Sequence, residues 1–201
     1  MVKADCGGCN GCSRCCHGMG NSIILDPYDV YRMTTGMGKS MQELLAASVE
    51  LNVVDGVILP NLKMQGTEEA CAYLDEEGRC SIHPYRPGIC RRFPLGRYYE
   101  NGGFSYFLQT GECAKENRSK IKVSKWIDTP DLTRNQQFTL QWHDLLHAME
   151  ERLTGEDEGK QREENLLLLR LFYLLPYEGT IDFYTQFTER MEHWNGQNGQ
   201  I

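Results

Sequence analysis

The cysteines of this chain are concentrated in its first half, and their spacing constrains the fold more than any other feature. Five of the nine fall in one short run near the start: Cys6, Cys9, Cys12, Cys15 and Cys16. Four more follow, and none lies beyond residue 113: Cys71, Cys80, Cys90 and Cys113. Disulfide frameworks spread cysteines through a small secreted chain, whereas metal sites bunch them at short intervals. The pattern therefore predicts a metal-binding fold.

The first run reads Cys-x-x-Cys-x-x-Cys-x-x-Cys-Cys. Thiolates two residues apart can turn back onto one ion, with backbone amides aimed at the sulfurs. The adjacent side chains of Cys15 and Cys16 point in different directions and cannot serve one ion equally well. We therefore expect this pair to be shared between two sites, or between two metals of one cluster.

Length and composition are those of an ordinary globular protein. The chain has 201 residues, of which 40% are hydrophobic and 24% charged, so its core should not depend wholly on metal. A net charge of -7 argues against general binding to nucleic acid or an anionic membrane. The most apolar stretch, residues 166–175, is shorter than the roughly 20 residues of a membrane helix.

These features, with no apolar signal core near the first residue, predict a cytoplasmic protein with no nucleic-acid or membrane partner. Nine free cysteines would be a liability in a reducing cytosol unless most of them bind metal. Their odd number leaves at least one without a disulfide partner in the chain.

Helix signals begin soon after the first cysteine run. Asp26 is a candidate N-cap, followed by Pro27 at the first helical position. Ser40 and Glu43 form a capping box that predicts a second helix to about residue 50. Residues 53–59 look extended.

From there to Cys113 the sequence favours strands and turns, with hairpin turns at 75–78 and 100–103. After Cys113 apolar residues recur at steps of three and four, which predicts helices. We therefore predict an α+β fold with a cysteine-rich, metal-stabilised core containing short β-hairpins (residues 1–113). The C-terminal helices (residues 114–201) form a layer packed on that core as one domain.

Two of the predicted helices carry long apolar stripes. The first contains Phe138, Trp142, Leu145, Met149 and Leu153. The second, at residues 161–175, is apolar on more than one face between 166 and 175. That segment is either the central core helix or part of a homodimer contact.

The later cysteines sit at predicted hairpins, turns and strand ends, where side chains can reach a common point. We predict eight thiolate ligands: Cys9, Cys12, Cys15, Cys16, Cys71, Cys80, Cys90 and Cys113. Eight thiolates could close two four-thiolate tetrahedra, or hold one iron–sulfur cluster and a second ion.

Two stretches of the sequence resemble a known family. Residues 9–16 read Cys-Asn-Gly-Cys-Ser-Arg-Cys-Cys, and residues 80–94 read Cys-Ser-Ile-His-Pro-Tyr-Arg-Pro-Gly-Ile-Cys-Arg-Arg-Phe-Pro. Together they resemble the CxxCxxCC family of zinc- or iron-chelating domains (YkgJ-like), which includes the flagellin lysine N-methylases. The resemblance covers about residues 6–113 and implies a bound iron–sulfur cluster or zinc. Cys6 is an addition to the pattern and is a spare ligand, a replacement ligand or a free thiol.

Iron is favoured over zinc by the spacing of the first run. Three cysteines at repeated two-residue gaps are more typical of four-iron, four-sulfur ferredoxin loops than of zinc knuckles. We therefore expect an iron–sulfur protein with redox or small-molecule chemistry. The sequence does not indicate which residues would be catalytic. Zinc holding a non-catalytic scaffold that binds another protein is the alternative. The resemblance to the methylases implies a further alternative, an S-adenosylmethionine-dependent lysine N-methyltransferase, although the chain shows no separable cofactor motif.

Arginines are concentrated around the second cysteine block. Residues 79–99 contain five arginines and no acidic residue. Their guanidinium groups would offset the charge of about -2 on a four-thiolate site, bind a carboxylate or phosphate of a substrate, or pair with acids elsewhere.

The candidates for an anion site, or for contacts around the metal ligands, are Arg86, Arg91, Arg92, His17 and His83. The expected partner is a small anionic substrate or a redox protein.

Overall fold

Short antiparallel hairpins and helices alternate along the chain, and together they form the predicted α+β fold. The computed structural model describes residues 1–5, 12–113, 115 and 117–198. The strands are β1 (Val2–Asp5), β2 (Val49–Val54), β3 (Val57–Leu62), β4 (Met64–Gln65), β5 (Ala70–Cys71), β6 (Leu95–Glu100), β7 (Gly103–Leu108) and β8 (Ser119–Ile121). The helices are α1 (Pro27–Met37), α2 (Met41–Ala47), α3 (Gly88–Arg92), α4 (Val123–Ile127), α5 (Leu132–Leu153), α6 (Glu158–Leu169) and α7 (Phe183–Asn198).

The described strands pair as four two-stranded antiparallel units: β1 with β8, β2 with β3, β4 with β5 and β6 with β7. The segment around Ile24 lies beside β3, where Leu25 N–H donates to the Pro60 carbonyl at 2.8 Å. The hairpin turn predicted at 100–103 joins β6 to β7.

Both predicted helix starts are confirmed by their side-chain caps. Asp26 accepts a 2.8 Å hydrogen bond from Asp29 N–H, and Pro27 occupies the first turn of α1. Ser40 and Glu43 form the predicted reciprocal capping box of α2. These short-range signals are visible in sequence because each cap is completed within four residues.

The predicted extent of the second helix was wrong. Helix α2 ends at Ala47, and β2 begins at Val49, because the following residues alternate between the two faces of a hairpin. Residues 53–59 are likewise not one extended stretch. Asp55 and Gly56 have φ angles of 51° and 82° and make the two-residue turn between β2 and β3, in the left-handed region that such turns require.

The segment after Cys113 is not purely helical, since it begins with β8. That strand pairs with β1, matching Val2 with Ile121. A three-residue strand whose partner lies more than 110 residues earlier in the chain leaves no local signal.

The core lies between the β2–β3 hairpin and the C-terminal helices. The predicted stripe on α5 is buried over its whole length. Tyr173 O–H donates to the Leu25 carbonyl at 3.0 Å, and Asn165 on α6 accepts from Ile58 N–H at 2.6 Å. The core therefore contains residues from both sides of residue 113.

The apolar segment at 166–175 contributes mainly to this core. Leu168, Leu169 and Phe172 are buried, whereas Leu166 and Leu175 are about half exposed. A π-helical turn, Arg170–Leu174, closes α6. The homodimer contact stays a prediction. None of the helices in the described part of the chain combines the length and the hydropathy needed to cross a bilayer.

Candidate metal centre

Five cysteines line one cavity of about 240 Å³. They are Cys15, Cys16, Cys71, Cys80 and Cys90. Cys15 and Cys16 lie on a short 3-10 turn, Cys71 ends β5, and Cys90 lies on α3. The structure thus brings the two cysteine blocks of the sequence to a common place.

Cys71 and Cys80 are presented by similar local turns. Cys80 forms an isolated bridge with Leu74 across the predicted turn at 75–78, where Gly78 has a φ of 70°. The backbone N–H two residues after each cysteine donates to its sulfur: Tyr73 N–H to Cys71 and Ile82 N–H to Cys80. Amides aimed at sulfur stabilise thiolates and are the arrangement expected around a metal-bound cysteine.

The adjacent cysteines of the first run differ in acidity. A hydrogen bond from the Cys16 thiol lowers the pKa of Cys15 to about 6. The same hydrogen bond, followed by burial, raises the pKa of Cys16. At neutral pH this pair therefore favours one thiolate beside one thiol, which is consistent with distinct roles for the two sulfurs.

The remaining thiols of the cavity hold their protons more tightly than a free cysteine does. Burial raises the pKa of Cys71, Cys80 and Cys90, and the charges of neighbouring sulfurs raise them further. Thiolates that lie close together in a poorly solvated cavity need a cation to balance their charge. Metal binding at this cavity should therefore release protons.

The rest of the cavity wall is largely apolar. It includes Met19, Leu62, Met64, Ile82, Ile89 and Leu95. The cationic side chains in the wall are Arg86 and Arg92, and Gln109 and Glu112 belong to it as well.

The position of Arg86 is set by α1. The turn His83–Tyr85 packs on that helix, where Arg32 donates a hydrogen bond to the Pro84 carbonyl. Arg86 itself donates to His83 Nε2 at 2.7 Å. Burial, together with the nearby charge of Arg86, lowers the pKa of His83. His83 therefore contacts a residue of the cavity wall, Arg86, but does not line the cavity itself.

Several predicted site residues lie elsewhere. Cys12 and Cys113 are half-buried, as are the other five described cysteines, but they do not belong to the cavity wall. They stay predicted ligands, while Cys6 and Cys9 fall outside the described residues. His17 is held by a backbone bridge to Ala70 and does not line the cavity.

Arg91 is separated from Arg92 by the geometry of α3. Arg91 is buried, donates to Thr129 Oγ1 at 3.1 Å and places its guanidinium carbon 5.7 Å from the centre of the Tyr28 ring. It supports the fold beside the cavity and is not part of the wall.

Sequence reasoning missed the carboxylates behind Cys90. Asp29 is buried, and Cys90 lies close enough to feel its charge. Burial, reinforced by the charge of Asp29, raises the pKa of Asp26 to about 7. The sequence signals only their capping role, because the contact of Asp29 with the second cysteine block, through Gly88, is long-range.

The donor set fits a metal group that prefers sulfur. Soft thiolates select zinc or iron–sulfur clusters, and the predominantly apolar wall offers few of the oxygen ligands required by magnesium or calcium. Over residues 1–5, 12–113, 115 and 117–198, no three His, Cys, Asp or Glu side chains are grouped closely enough to hold one ion. The five sulfurs are distributed around the wall of the cavity.

Comparison with known families agrees with this geometry. The model of the CxxCxxCC family, described as "Putative zinc- or iron-chelating domain", matches residues 8–120. The chain belongs to the CxxCxxCC family. No curated protein and no solved structure gives a significant match. The matched range contains every cavity cysteine, and membership of the CxxCxxCC family supports metal binding in general, with zinc and iron both within the family description.

Proposed function

We propose that this CxxCxxCC protein holds a four-iron, four-sulfur cluster in the cysteine-lined cavity and uses it to exchange single electrons with a redox partner. The observation that carries the proposal is the arrangement of five sulfurs around one cavity. Four of them would each bind one iron, and the fifth could serve a second ion or stay free.

The size of the cavity favours a cluster over a single zinc ion. Four thiolates on one zinc lie about 2.3 Å from the metal, so they converge on one point. A cluster instead spreads its thiolates over four separate irons. A volume of about 240 Å³ is many times the roughly 10–15 Å³ that one water molecule needs by the same measure.

The surrounding residues would tune a cluster in a recognisable way. The bound group supplies one-electron redox chemistry, while its potential depends on hydrogen bonds to sulfur and on exposure to solvent. Here the N–H groups of Tyr73 and Ile82 donate to ligand sulfurs, and the apolar wall limits water. Arg86 and Arg92 would offset part of the negative charge of the cluster and its thiolates.

The test is anaerobic purification followed by metal and sulfide analysis. We expect about four irons and four inorganic sulfides per chain, with a broad visible absorption that bleaches when dithionite donates an electron. A paramagnetic reduced state should then appear in electron paramagnetic resonance. A colourless protein with stoichiometric zinc and no iron would overturn the proposal and support the zinc-stabilised scaffold.

A further inference from the structure

The short antiparallel pair β1–β8 places two lysines side by side. Lys3 of β1 lies directly opposite Lys120 of β8, so their side chains extend from the same face of the pair. Both residues are exposed. Like charges directly opposite each other on two strands destabilise the pairing. The chain therefore keeps at this position an arrangement that the fold itself does not favour.

The positive charge extends from this pair of lysines into α4. Residues 117–127 contain no acidic residue and four basic residues: Arg118, Lys120, Lys122 and Lys125. Lys122 is exposed and has extended backbone angles, so it lies on the same face as Lys120. Lys125 is exposed on α4. The four exposed residues are called the lysine patch: Lys3, Lys120, Lys122 and Lys125.

The lysine patch has no ion-pair partner in the part of the chain that the structure describes. The cations that form ion pairs there are Arg134, His143, His147, Arg152 and Lys160. The whole chain has a net charge of -7, so the patch is a local reversal of sign. Surplus positive charge of this kind attracts a partner of opposite charge and orients its approach.

Helix α4 connects the lysine patch to the wall of the cysteine cavity. Next to Lys125, the indole nitrogen of Trp126 donates to the carbonyl oxygens of Arg92 and Phe93, at 3.3 and 3.1 Å. Both acceptors belong to residues of the cavity wall. A partner bound to the patch would therefore lie beside a helix that contacts this wall.

The composition of the patch indicates the kind of partner. Lysines are strongly hydrated charges on flexible side chains, and exposed charges at an interface accelerate encounter more than they prolong a complex. Electron-transfer complexes have small, weak interfaces that suit such encounters. An extended polyanion, such as nucleic acid or a membrane surface, would also meet the acidic remainder of this chain, whereas a compact acidic protein can contact the patch alone.

We propose that the lysine patch is the docking surface for an acidic electron-transfer protein that exchanges one electron with the bound cluster. The inference rests on the proposed function insofar as it describes the redox partner by its charge. In the exchange, the reduced cluster loses one electron and the partner's cofactor gains it, or the reverse. No covalent bond forms or breaks.

The test is the binding of flavodoxin, an acidic one-electron carrier, to the anaerobically purified, metal-loaded protein. Interferometry at two salt concentrations measures the affinity. We expect saturable binding at about 20 mM salt that weakens about tenfold or more at about 300 mM, because salt screens exposed charges. No binding at low salt, or an affinity that salt does not change, would overturn the proposal.

Charge-reversal variants locate the binding surface. Lys120→Glu combined with Lys122→Glu should weaken flavodoxin binding about tenfold or more at low salt, with metal content and visible spectrum unchanged. Lys39→Glu combined with Lys63→Glu is the matched control, because it changes the net charge equally and both lysines are exposed outside the patch. The control should stay within about twofold. Equal weakening by the two double variants would refute the docking surface.

A single substitution separates binding from stability. Lys120→Glu places an opposite charge across from Lys3, so its melting temperature should equal or exceed that of the unchanged protein. Its affinity for flavodoxin should nevertheless fall about threefold or more. A lower melting temperature would refute the opposition of like charges on which the proposal rests.

Other occupants of the patch would give different results. Binding of phosphatidylserine vesicles or of a DNA duplex that requires the four lysines, without binding of flavodoxin, would overturn the proposal. So would a dimer at low salt that Lys120→Glu combined with Lys122→Glu abolishes, because the occupant would then be a second copy of this chain.

The docking surface and the cluster fail separately. Flavodoxin binding by a zinc-loaded protein, lost in the charge-reversal variant, would support the docking surface and refute the cluster. An iron–sulfur protein that does not bind flavodoxin at low salt would refute the docking surface alone.

Discussion

Asp29 accepts a hydrogen bond of 2.7 Å from the backbone N–H of Gly88, which lies 59 residues later in the chain. The other carboxylate oxygen accepts from Asp26 N–H at 3.3 Å. One buried side chain therefore ties the start of α1 to the segment that carries Cys90. This contact couples the stability of the helix to the position of a candidate metal ligand.

Asp29→Ala should lower the free energy of unfolding by about 1–3 kcal/mol, because it leaves the Gly88 N–H without its partner. A chelator should also remove metal faster, because the segment that carries Cys90 loses its hydrogen bond to Asp29. Asp29→Asn keeps an acceptor oxygen and should lose less. Chemical denaturation and the rate of metal transfer to a chelator measure the two effects.

Asp157→Ala is the control for this variant. Asp157 caps α6 and accepts from Gly159 N–H at 2.9 Å, but it is exposed and outside the cavity wall. Its loss should cost about 1 kcal/mol without changing the rate of metal loss. Equal metal loss from the two alanine variants would contradict the coupling described for Asp29.

Cys90→Ser should reduce the bound metal and lower the melting temperature, because binding energy contributes to folding energy at a thiolate site. Cys6→Ser, the same chemical change outside the recognised pattern, should leave the metal content intact. Elemental analysis of the two proteins purified side by side provides the comparison. Full metal content in Cys90→Ser would remove it from the ligand set, and a stoichiometric loss in Cys6→Ser would add Cys6 to it.

The raised pKa of Asp26 predicts a pH-dependent stability. An unfolded aspartate titrates near pH 3.9, whereas in the folded protein the pKa of Asp26 is about 7. Between these values the folded state binds the extra proton, so its contribution to stability is fully present below about pH 4 and is lost as the pH rises through about 7.

Asp26→Asn should therefore flatten the stability profile between about pH 4 and pH 7, by on the order of 1–3 kcal/mol. Asparagine caps a helix about as well as aspartate, so the start of α1 should be preserved. Denaturant unfolding of both proteins at several pH values gives the difference profile, in which distant groups cancel and the remaining change comes from Asp26 and from Asp29, whose titration is coupled to it. Parallel profiles would show that Asp26 titrates normally in the folded protein.

Gly36→Ala should destabilise the protein although alanine favours helices. A Cβ at this position of α1 would lie 2.3 Å from Cδ1 of the Tyr85 ring, so the turn that precedes Arg86 must move. Overpacking of this kind costs about 1–3 kcal/mol, which exceeds the gain of about 1 kcal/mol in helix propensity.

Gly196→Ala in α7 is the matched substitution, because a Cβ there meets nothing within 4 Å. Its effect on the free energy of unfolding should lie between zero and a gain of about 1 kcal/mol, since only helix propensity changes. Thermal unfolding of the two variants makes the comparison, and a stabilised Gly36→Ala protein would show that Tyr85 is free to leave its contact.

The sequence predicted features that are encoded locally. The buried stripe from Phe138 to Leu153 follows from helical spacing, and the caps at Asp26 and Ser40 from neighbouring residues. The same residues do not reveal that β8 pairs with β1, because a three-residue strand carries too little pattern. Fold class and helix starts were therefore readable, whereas distant pairings were not.

The candidate site shows the same division. The spacing of the cysteines predicted metal binding, which family membership supports. It did not separate Arg91 from Arg92, because adjacent residues on a helix point about 100° apart and only the packing of α3 decides which one meets the cavity. Nor did it indicate that Asp29 reaches Gly88, since the link depends on the tertiary structure.

The partial exposure of all seven described cysteines affects how the protein behaves before a metal is bound. The core is formed by apolar side chains of the β2–β3 hairpin and the helices. The chain can therefore fold while its cysteine sulfurs hold no metal and are still partly exposed to solvent. The proposed metal group can then be inserted after folding. Until it is bound, Cys15 is the cavity cysteine most open to oxidation by peroxide, because its lowered pKa of about 6 makes it a thiolate at neutral pH.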